Sequence, residues 1–353
     1  MFDKLESHKE LKQFAPHKIL QHLDRIKELL DTGDTTPVTV EVDPSNGCNH
    51  RCLRCTFEEY HEFHKKQLSE ETMRQLADDF ADMSVKAVVW TGGGEPLINK
   101  ATKDVFSYFA EKGIEQGIAT NGSLITPEYN SIFADNFIYV RFSVDAASTE
   151  MHRKIHGRDD FQKVIDNIAE LCRLRDSRKR DRPLTVGFSF LAHPENYKEI
   201  YDAARLARDL GVDYFQIKPV VMHRREQINM DYFDACLHYI HTAKDLERDH
   251  FKVLTLEYKF RDLMKEGFNR TYSFCWGHPF MTTISAEGYV NFCCHTRGLK
   301  EYTFGNVNKD RFKDIWEGEE RKEAIDRMKR DGLTNCPPNC KYHMINQTLE
   351  EVL

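Results

Sequence analysis

Between Val38 and Val221 the chain passes through six short apolar segments, each followed by polar or glycine punctuation and then by a stretch with helical periodicity. The segments are "VTVEVD" from Val38, "AVVWTGG" from Ala87, "QGIATNG" from Gln116, "IYVRFSVD" from Ile138, "TVGFSFLAH" from Thr185 and "YFQIKPVV" from Tyr214. β-Branched and aromatic residues dominate them, as a half-buried pleated surface favours. Among the intervening helices, Ser69 caps one whose apolar face reads Met73, Leu76, Phe80 and Met83. Another presents Phe161, Val164, Ile165, Ile168 and Leu171, and Pro194 opens a third that Gly211 closes. Six strand–helix units in series leave few solutions. Parallel strands need crossover connections of one hand. The expected fold is therefore α/β, a partial (β/α)6 TIM-like barrel with its functional groups at the C-terminal strand ends.

The rest of the 353 residues divides around that core. Residues 1–36 read as a polar helical segment, with Ile19, Leu20, Leu23, Ile26 and Leu29 at helical spacing. Residues 37–225 form the (β/α)6 core, 226–270 a connecting helix and strand, and 271–353 a small cysteine-bearing module. In that module "TTISAEGYVNFCC" reads as a hairpin around Glu287-Gly288 and "DRFKDIWEGEERKEAIDRMKRDG" as an exposed amphipathic helix. "NCPPNC" reads as a rigid loop, since Pro337 and Pro338 each fix their own φ. The net charge of −7 gives no general basic field for nucleic acid, and the basic run "RLRDSRKRDRP" from Arg173 reads as a solvated helix end. No apolar run approaches the roughly 18 residues of a membrane span. The N-terminal "MFDKLESHKELKQF" lacks the apolar stretch of a signal peptide, so a cytoplasmic location is expected.

Ten cysteines in a reducing compartment point to metal or redox chemistry rather than disulfides. Cys48, Cys52 and Cys55 fall within eight positions of the loop after the first strand. A closed zinc site needs four ligands, with His50 as the available fourth. A cubane iron–sulfur cluster held by three thiolates instead leaves one iron open to another ligand. Cys275, Cys293, Cys336 and Cys340 make a second set, enough for one fully coordinated cluster or a structural zinc, with Cys294 or His295 as a substitute for one of them. Cys172 and Cys236 fall on apolar helix faces and read as core thiols.

The stretch CNHRCLRC resembles the Cys-x3-Cys-x2-Cys motif of the radical S-adenosylmethionine (radical SAM) superfamily. "TGGGEPL" after the second strand is similar to that family's GGEP motif, and "ATNGS" and "FSVDA" resemble further elements after the third strand and at the fourth. The resemblance implies a [4Fe-4S] cluster on Cys48, Cys52 and Cys55, its open iron chelated by S-adenosylmethionine. It implies cofactor contacts at Gly93, Gly94, Glu95, Pro96, Asn121, Ser143 and Asp145. Arg153 or Arg158 would meet the SAM carboxylate, while His156 stands where an arginine is common. Arg54 replaces the aromatic residue that usually precedes the third cysteine, and its guanidinium can stack on an adenine face. "GYVNFC", Gly288 to Cys293, is similar to the hairpin of SPASM and twitch extensions. Four cysteines imply one auxiliary [4Fe-4S] cluster, as in the shorter twitch type, although the last pair is Cys-x3-Cys rather than Cys-x2-Cys.

The activity so implied is reductive cleavage of SAM to a 5′-deoxyadenosyl radical, fed by a flavodoxin- or ferredoxin-type electron donor, followed by hydrogen abstraction from substrate carbon. The substrate radical then loses an electron to the auxiliary cluster, giving oxidation, or receives a hydrogen atom from a thiol such as Cys294, giving epimerisation. Polar residues near strand ends that could handle protons are His61, His64, His193, His223, Arg224, Arg225 and, foremost, Lys218. The leading expectation is an oxidoreductase acting on a small-molecule substrate: a sugar, an aminocyclitol or a nucleotide-linked precursor. A peptide substrate is the alternative, although 36 residues before the first strand are too few for a separate peptide-recognition fold. A non-catalytic scaffold would leave the glycine-rich motif without a purpose.

Overall fold

The computed structural model describes residues 18–57, 66–220, 232–255, 259–260, 270–333, 336 and 340–352. The six segments form β1 (Thr39–Val42), β2 (Ala87–Trp90), β3 (Glu115–Thr120), β4 (Phe137–Ser143), β5 (Thr185–Ala192) and β6 (Tyr214–Pro219). They pair in chain order, all parallel, and β7 (Lys252–Thr255) extends that edge parallel to β6. The helices that the site uses are α1 (Leu23–Thr32), α2 (Glu70–Asp82), α3 (Thr102–Glu111), α4 (Pro127–Asn136), α5 (Thr149–His156), α6 (Phe161–Ser177) and α7 (Ile200–Asp209). Ser69 caps α2 by accepting from the Thr72 amide at 3.0 Å, and the apolar faces expected for α2 and α6 are buried.

On β1, β2 and the second half of β4 burial alternates, and the alternation locates the core. Val40 and Val42, Val88 and Trp90, Val140 and Phe142 are fully buried against the helices. The residues between them, including Glu41, Val89, Arg141 and Ser143, are only partly covered. The apolar core therefore lies outside the sheet, and the inner face lines an accessible cavity. Tyr139 fills part of that face because its neighbour across the strands is Gly117, where a Cβ would lie 2.1 Å from the ring.

Three features depart from the sequence reading. The turn after β5 delays its helix: Asn196 donates to the carbonyls of Asp145 and Leu191 at 2.7 and 3.0 Å and accepts from the His193 amide at 2.7 Å. These bonds hold residues 193–196 as a loop, so α7 begins at Ile200 and not at Pro194. The long helix of the C-terminal module is broken at Gly318, whose extended backbone (ψ 161) divides it into α9 (Phe312–Glu317) and α10 (Glu319–Asp331) after α8 (Tyr232–Lys244). Nor is it wholly exposed: Arg321 is buried over the Trp316 ring and pairs with Asp34. The "NCPPNC" loop lies outside the described residues except for Cys336 and Cys340.

The third departure concerns how the C-terminal module is attached. β8 (Met281–Ile284) pairs parallel with β1, β9 (Tyr289–Asn291) antiparallel with β8, and β10 (Thr303–Asn306) antiparallel with β9. One ten-stranded sheet thus runs β10-β9-β8-β1-β2-β3-β4-β5-β6-β7. Ile19, Ile26, Leu29 and Val38 pack with Phe280, Cys293, Cys340, Tyr342, Ile345 and Leu349 in a separate apolar cluster, so α1 and α11 (His343–Glu350) enclose the second cysteine set. Leu20 and Leu23, expected on the same apolar face as Ile19, are exposed. Residues 1–17 lie outside the described residues. Among the described residues no helix is long and apolar enough to cross a membrane.

Candidate functional site

The loop after β1 is held from three sides. Glu95 N–H donates to the Gly47 carbonyl at 2.9 Å, Asn121 Nδ2 to Asn49 Oδ1 at 3.0 Å, and Asn49 Nδ2 to Ser123 Oγ at 2.6 Å. Arg51 and Leu53 amides donate to the carbonyls of His156 and Ile155 at the end of α5, at 3.0 and 2.6 Å. Glu95 itself accepts from Thr120 Oγ1, the Asn121 amide and the Leu97 amide at 2.7, 2.8 and 3.2 Å. Its carboxyl, raised to about 7 by burial, fastens the turn after β2 to the end of β3. Gly94 lies against the cysteine loop, where an added Cβ would meet the Gly47 carbonyl oxygen at 2.1 Å. Backbone cannot yield there as a flexible side chain would. Gly94→Val is therefore expected to displace the cysteine loop, lowering both iron content and SAM affinity while the protein stays folded. Normal iron loading and SAM binding in that variant would refute the contact.

The three thiols at the loop are not in disulfides and are partly covered, and Cys52 and Cys55 lie within electrostatic reach of Cys48. Burial pushes Cys48 up to about 12, with Glu95, Cys52 and Cys55 acting the same way and the His50 amide, 3.4 Å from its sulfur, opposing them. Cys52 Sγ lies 3.2 Å from His156 Nδ1, whose Nε2 is 2.9 Å from the Val144 carbonyl. Burial alone would lower His156, but Cys52 and Asp145 outweigh it and raise it well above its ordinary value. His50 and His152 flank it and share the Asp160 carboxylate at 3.1 and 3.0 Å. Burial and the neighbouring His156 hold His50 down to about 4. Sequence reasoning marked His50 and His156 singly and missed the network; the His152/His156 spacing of one helical turn was its only trace.

Other expected cofactor contacts have their partners within the protein. Asn121 Oδ1 accepts from the amide and hydroxyl of Ser123. Asp145, in the left-handed region at φ 54, accepts from the Leu191 amide at 2.6 Å and approaches His156 Nε2 at 3.4 Å. Ser143 sits on the inner face opposite Ser189. Pro96 opens the 3-10 turn after Glu95. Arg54, also at positive φ (57), makes a bidentate pair with Glu195 at 2.6 and 2.9 Å, which fixes its guanidinium plane. Arg153 and Arg158 are the outliers. Arg153 is 59% exposed, pairs with Asp159 at 2.8 Å, and with Arg158 lines a surface depression. It follows His152 by about 100° around the helix, so the histidine and not the arginine faces the loop.

Inside the sheet, Lys218 and Cys294 are brought into mutual electrostatic reach from β6 and from the residue after Cys293. Burial, then the neighbouring Arg141 and Lys259 cations, hold Lys218 well below its ordinary value. Burial pushes Cys294 up to about 12. Two ion pairs close the same region: Lys341 Nζ to Glu41 at 2.6 Å, and Arg297 to Asp43 at 2.6 and 2.9 Å. Arg297 also lies 4.7 Å above the Phe57 ring, two residues beyond Cys55. His193 is buried after β5 and lowered mainly by that burial. His61, His64, His223, Arg224 and Arg225 lie outside the described residues.

Behind β8 and β9 the second thiol set converges. Burial, then Cys340, Cys293 and Cys336, raises Cys275 well above its ordinary value. The donors around these sulfurs are the Tyr342 amide 3.3 Å from Cys340, Asn346 Nδ2 3.7 Å from Cys275 and Thr296 Oγ1 3.9 Å from Cys293. Four thiols, Cys293 and Cys340 buried and Cys275 and Cys336 partly covered, with N–H and O–H donors beside them suit a thiolate-bound iron–sulfur cluster, and three thiols in one loop suit a cubane with an open corner. Cys294 instead has Lys341, Glu41, Cys293 and Arg297 as its electrostatic neighbours. Cys172 and Cys236 are core thiols.

Comparison with known proteins accords with this layout. Residues 42–207 match the radical SAM superfamily, and residues 275–341 match the SPASM iron–sulfur cluster-binding domain. The cofactor-modifying protein of tungsten-containing aldehyde ferredoxin oxidoreductase from Pyrococcus furiosus is 25% identical over 77% of this chain and 78% of its own length. An AdoMet-dependent heme synthase from Nitratidesulfovibrio vulgaris is 22% identical over 90% of this chain and 88% of its own. Among solved structures, Streptococcus suis SuiB bound to its precursor peptide SuiA superposes with a TM-score of 0.66 at 15% identity, covering 87% of this chain and 71% of SuiB. For anSMEcpe with bound AdoMet the TM-score is 0.61 at 15% identity, over 88% and 89%. The chain belongs to the radical SAM superfamily, its parallel-sheet domain working with S-adenosylmethionine and a [4Fe-4S] cluster and its C-terminal part being an iron–sulfur cluster-binding domain of the SPASM type.

Proposed function

We propose that the protein is an oxidoreductase that abstracts hydrogen from a carbon of a small-molecule substrate held inside the sheet. The observation that carries this reading is that Lys218, on the inner face of β6, lies within electrostatic reach of Cys294, the neighbour of Cys293 in the second thiol set. Relatives that span about four-fifths or more of their own length are named for modifying a cofactor and for synthesising heme, which supports a small-molecule rather than a peptide substrate.

In this reading Cys48, Cys52 and Cys55 hold the first cluster and Cys275, Cys293, Cys336 and Cys340 the second. When bound, the first cluster with SAM supplies a 5′-deoxyadenosyl radical and the second supplies an electron acceptor. The backbone at Gly93 and Gly94, with Ser143, borders the SAM position, and the Arg54 guanidinium, fixed by Glu195, offers a flat face to the adenine. Lys218, whose charged form is disfavoured by burial and then by the neighbouring Arg141 and Lys259 cations, takes the substrate proton at Nζ. A ferredoxin- or flavodoxin-type protein delivers the starting electron.

Anaerobic turnover of the reconstituted enzyme with candidate substrates tests this. Deoxyadenosine should accumulate with a product lighter by about two hydrogens, and Cys294→Ala should remain largely active. A product of unchanged mass that carries deuterium from D2O, and that is lost in Cys294→Ala, would replace oxidation by epimerisation.

A further inference from the structure

The inner face of the sheet carries basic side chains that no acidic side chain pairs with among the described residues. Strand register points Arg141, paired with Ala119 and Gly187, and Lys218, paired with Leu191, at the inner face. Lys259 lies close enough to Lys218 to act on it electrostatically, as Arg141 does, and has Cys340 and Cys294 as further electrostatic neighbours. The carboxylates of this region are committed elsewhere: Glu41 to Lys341, Asp43 to Arg297, and Asp145 to the Leu191 amide and His156. Among the described residues no side-chain hydrogen bond or ion pair reaches Arg141, Lys218 or Lys259, and Arg141 Nε is buried without an acceptor. Buried guanidinium and ammonium groups without anions are costly to a fold. Arg141 and Lys218 on one face of the sheet, from β4 and β6, with Lys259 in electrostatic reach of Lys218, are an arrangement that a folding requirement alone does not explain.

We propose that Arg141, Lys218 and Lys259 form a recognition site for a polyanionic substrate, one that presents at least two carboxylate or phosphate groups to the inner cavity. This rests on the reading of that cavity as the substrate site. Arg141 offers a planar fork to one anionic group, and the two lysines act as point charges on another. An anion arriving there favours the ammonium form of Lys218, so that substrate recognition and the charge state of the candidate base are linked. A neutral sugar would leave the three cations unsatisfied and would be rejected for the same reason that a site built for a polar group rejects an analogue lacking it.

The test uses the reconstituted full-length protein, saturated with SAM so that the open iron is occupied. Citrate serves as the polycarboxylate probe, pyrophosphate as the phosphate probe and glucose as the neutral control, with calorimetry and thermal unfolding as readouts. At least one anion should bind and raise the melting temperature, glucose should do neither, and the stronger probe identifies which anionic group the site prefers. Lys218→Met and Arg141→Gln should each weaken that binding at least tenfold while SAM affinity is kept. Lys179→Gln, in the exposed basic run, should change nothing. Without probe, Lys218→Met should melt at or above the wild-type temperature, because a buried amine that has no hydrogen-bond partner among the described residues has been removed. Equal binding of glucose and the anions, or anion affinity unchanged in both cavity variants, would overturn the proposal. Because binding and not turnover is read, anion binding without deoxyadenosine formation would count against the oxidoreductase reading and leave this site standing.

Discussion

Replacing Cys48, Cys52 and Cys55 together by alanine is expected to reduce deoxyadenosine formation by at least about a thousandfold, since the radical chemistry has no side-chain substitute. About four irons per chain should be lost, those of one cubane, with the second cluster retained. The second set should survive because its environment is built independently. Cys275, Cys293 and Cys340 lie with α1 and α11, enclosed by Phe280, Tyr342, Ile345 and Leu349, whereas the first loop hangs from the ends of β2, β3 and α5. Iron analysis together with electron paramagnetic resonance separates the two clusters. Wild-type deoxyadenosine yield from the triple variant would sink the assignment. Loss of all iron would show instead that the two centres assemble as one unit.

The second large effect concerns the link between the two halves of the sheet. Arg297, from the C-terminal module, and Asp43, at the end of β1, form a buried pair that also receives the Gly93 amide and the Phe57 ring. Arg297→Met should cost about 3–5 kcal/mol, the usual consequence of stranding one member of a buried pair. Adding Asp43→Asn removes the stranded charge and should recover more than half of that loss. The pH dependence follows from Asp43, which burial raises from 3.8 to about 6 against the pull of Arg297. A carboxyl raised in the folded state binds its proton more tightly there than in the unfolded chain. Its favourable contribution is complete below about pH 4 and is lost as pH rises through about 6. Without Arg297 that loss is deeper and extends to higher pH. Urea unfolding should show the gap between wild type and Arg297→Met widening from pH 5 to pH 8. A gap that is constant with pH, or no recovery in the double variant, would mean that Arg297 acts through packing alone.

The same pair marks where reading a sequence stops. All six core strands were legible because each is a short apolar run rich in β-branched and aromatic residues, and each βα unit carries its own punctuation. The spacing of Cys48, Cys52 and Cys55 was legible because all three lie in one short loop after β1. Glu95 and Asn121 were legible as motif members, but their work of tying turn to turn was not. The helix expected at Pro194 was misplaced because Asn196 satisfies local backbone groups in a way that composition does not signal.

What only the tertiary structure decided is the set of contacts between residues far apart in the chain. β8 joins β1 across more than 240 residues, and Arg297 meets Asp43 at a separation of 254. Lys218 comes within electrostatic reach of both Arg141 and Lys259 although each alone reads as an ordinary strand or surface cation. Local sequence determines which face of a strand or helix a residue occupies, because the periods of 2.0 and 3.6 are properties of the backbone. Which faces then meet, and whether a buried charge finds its partner there, depends on how the sheet curls and which edge the last hairpin joins. No local period encodes that.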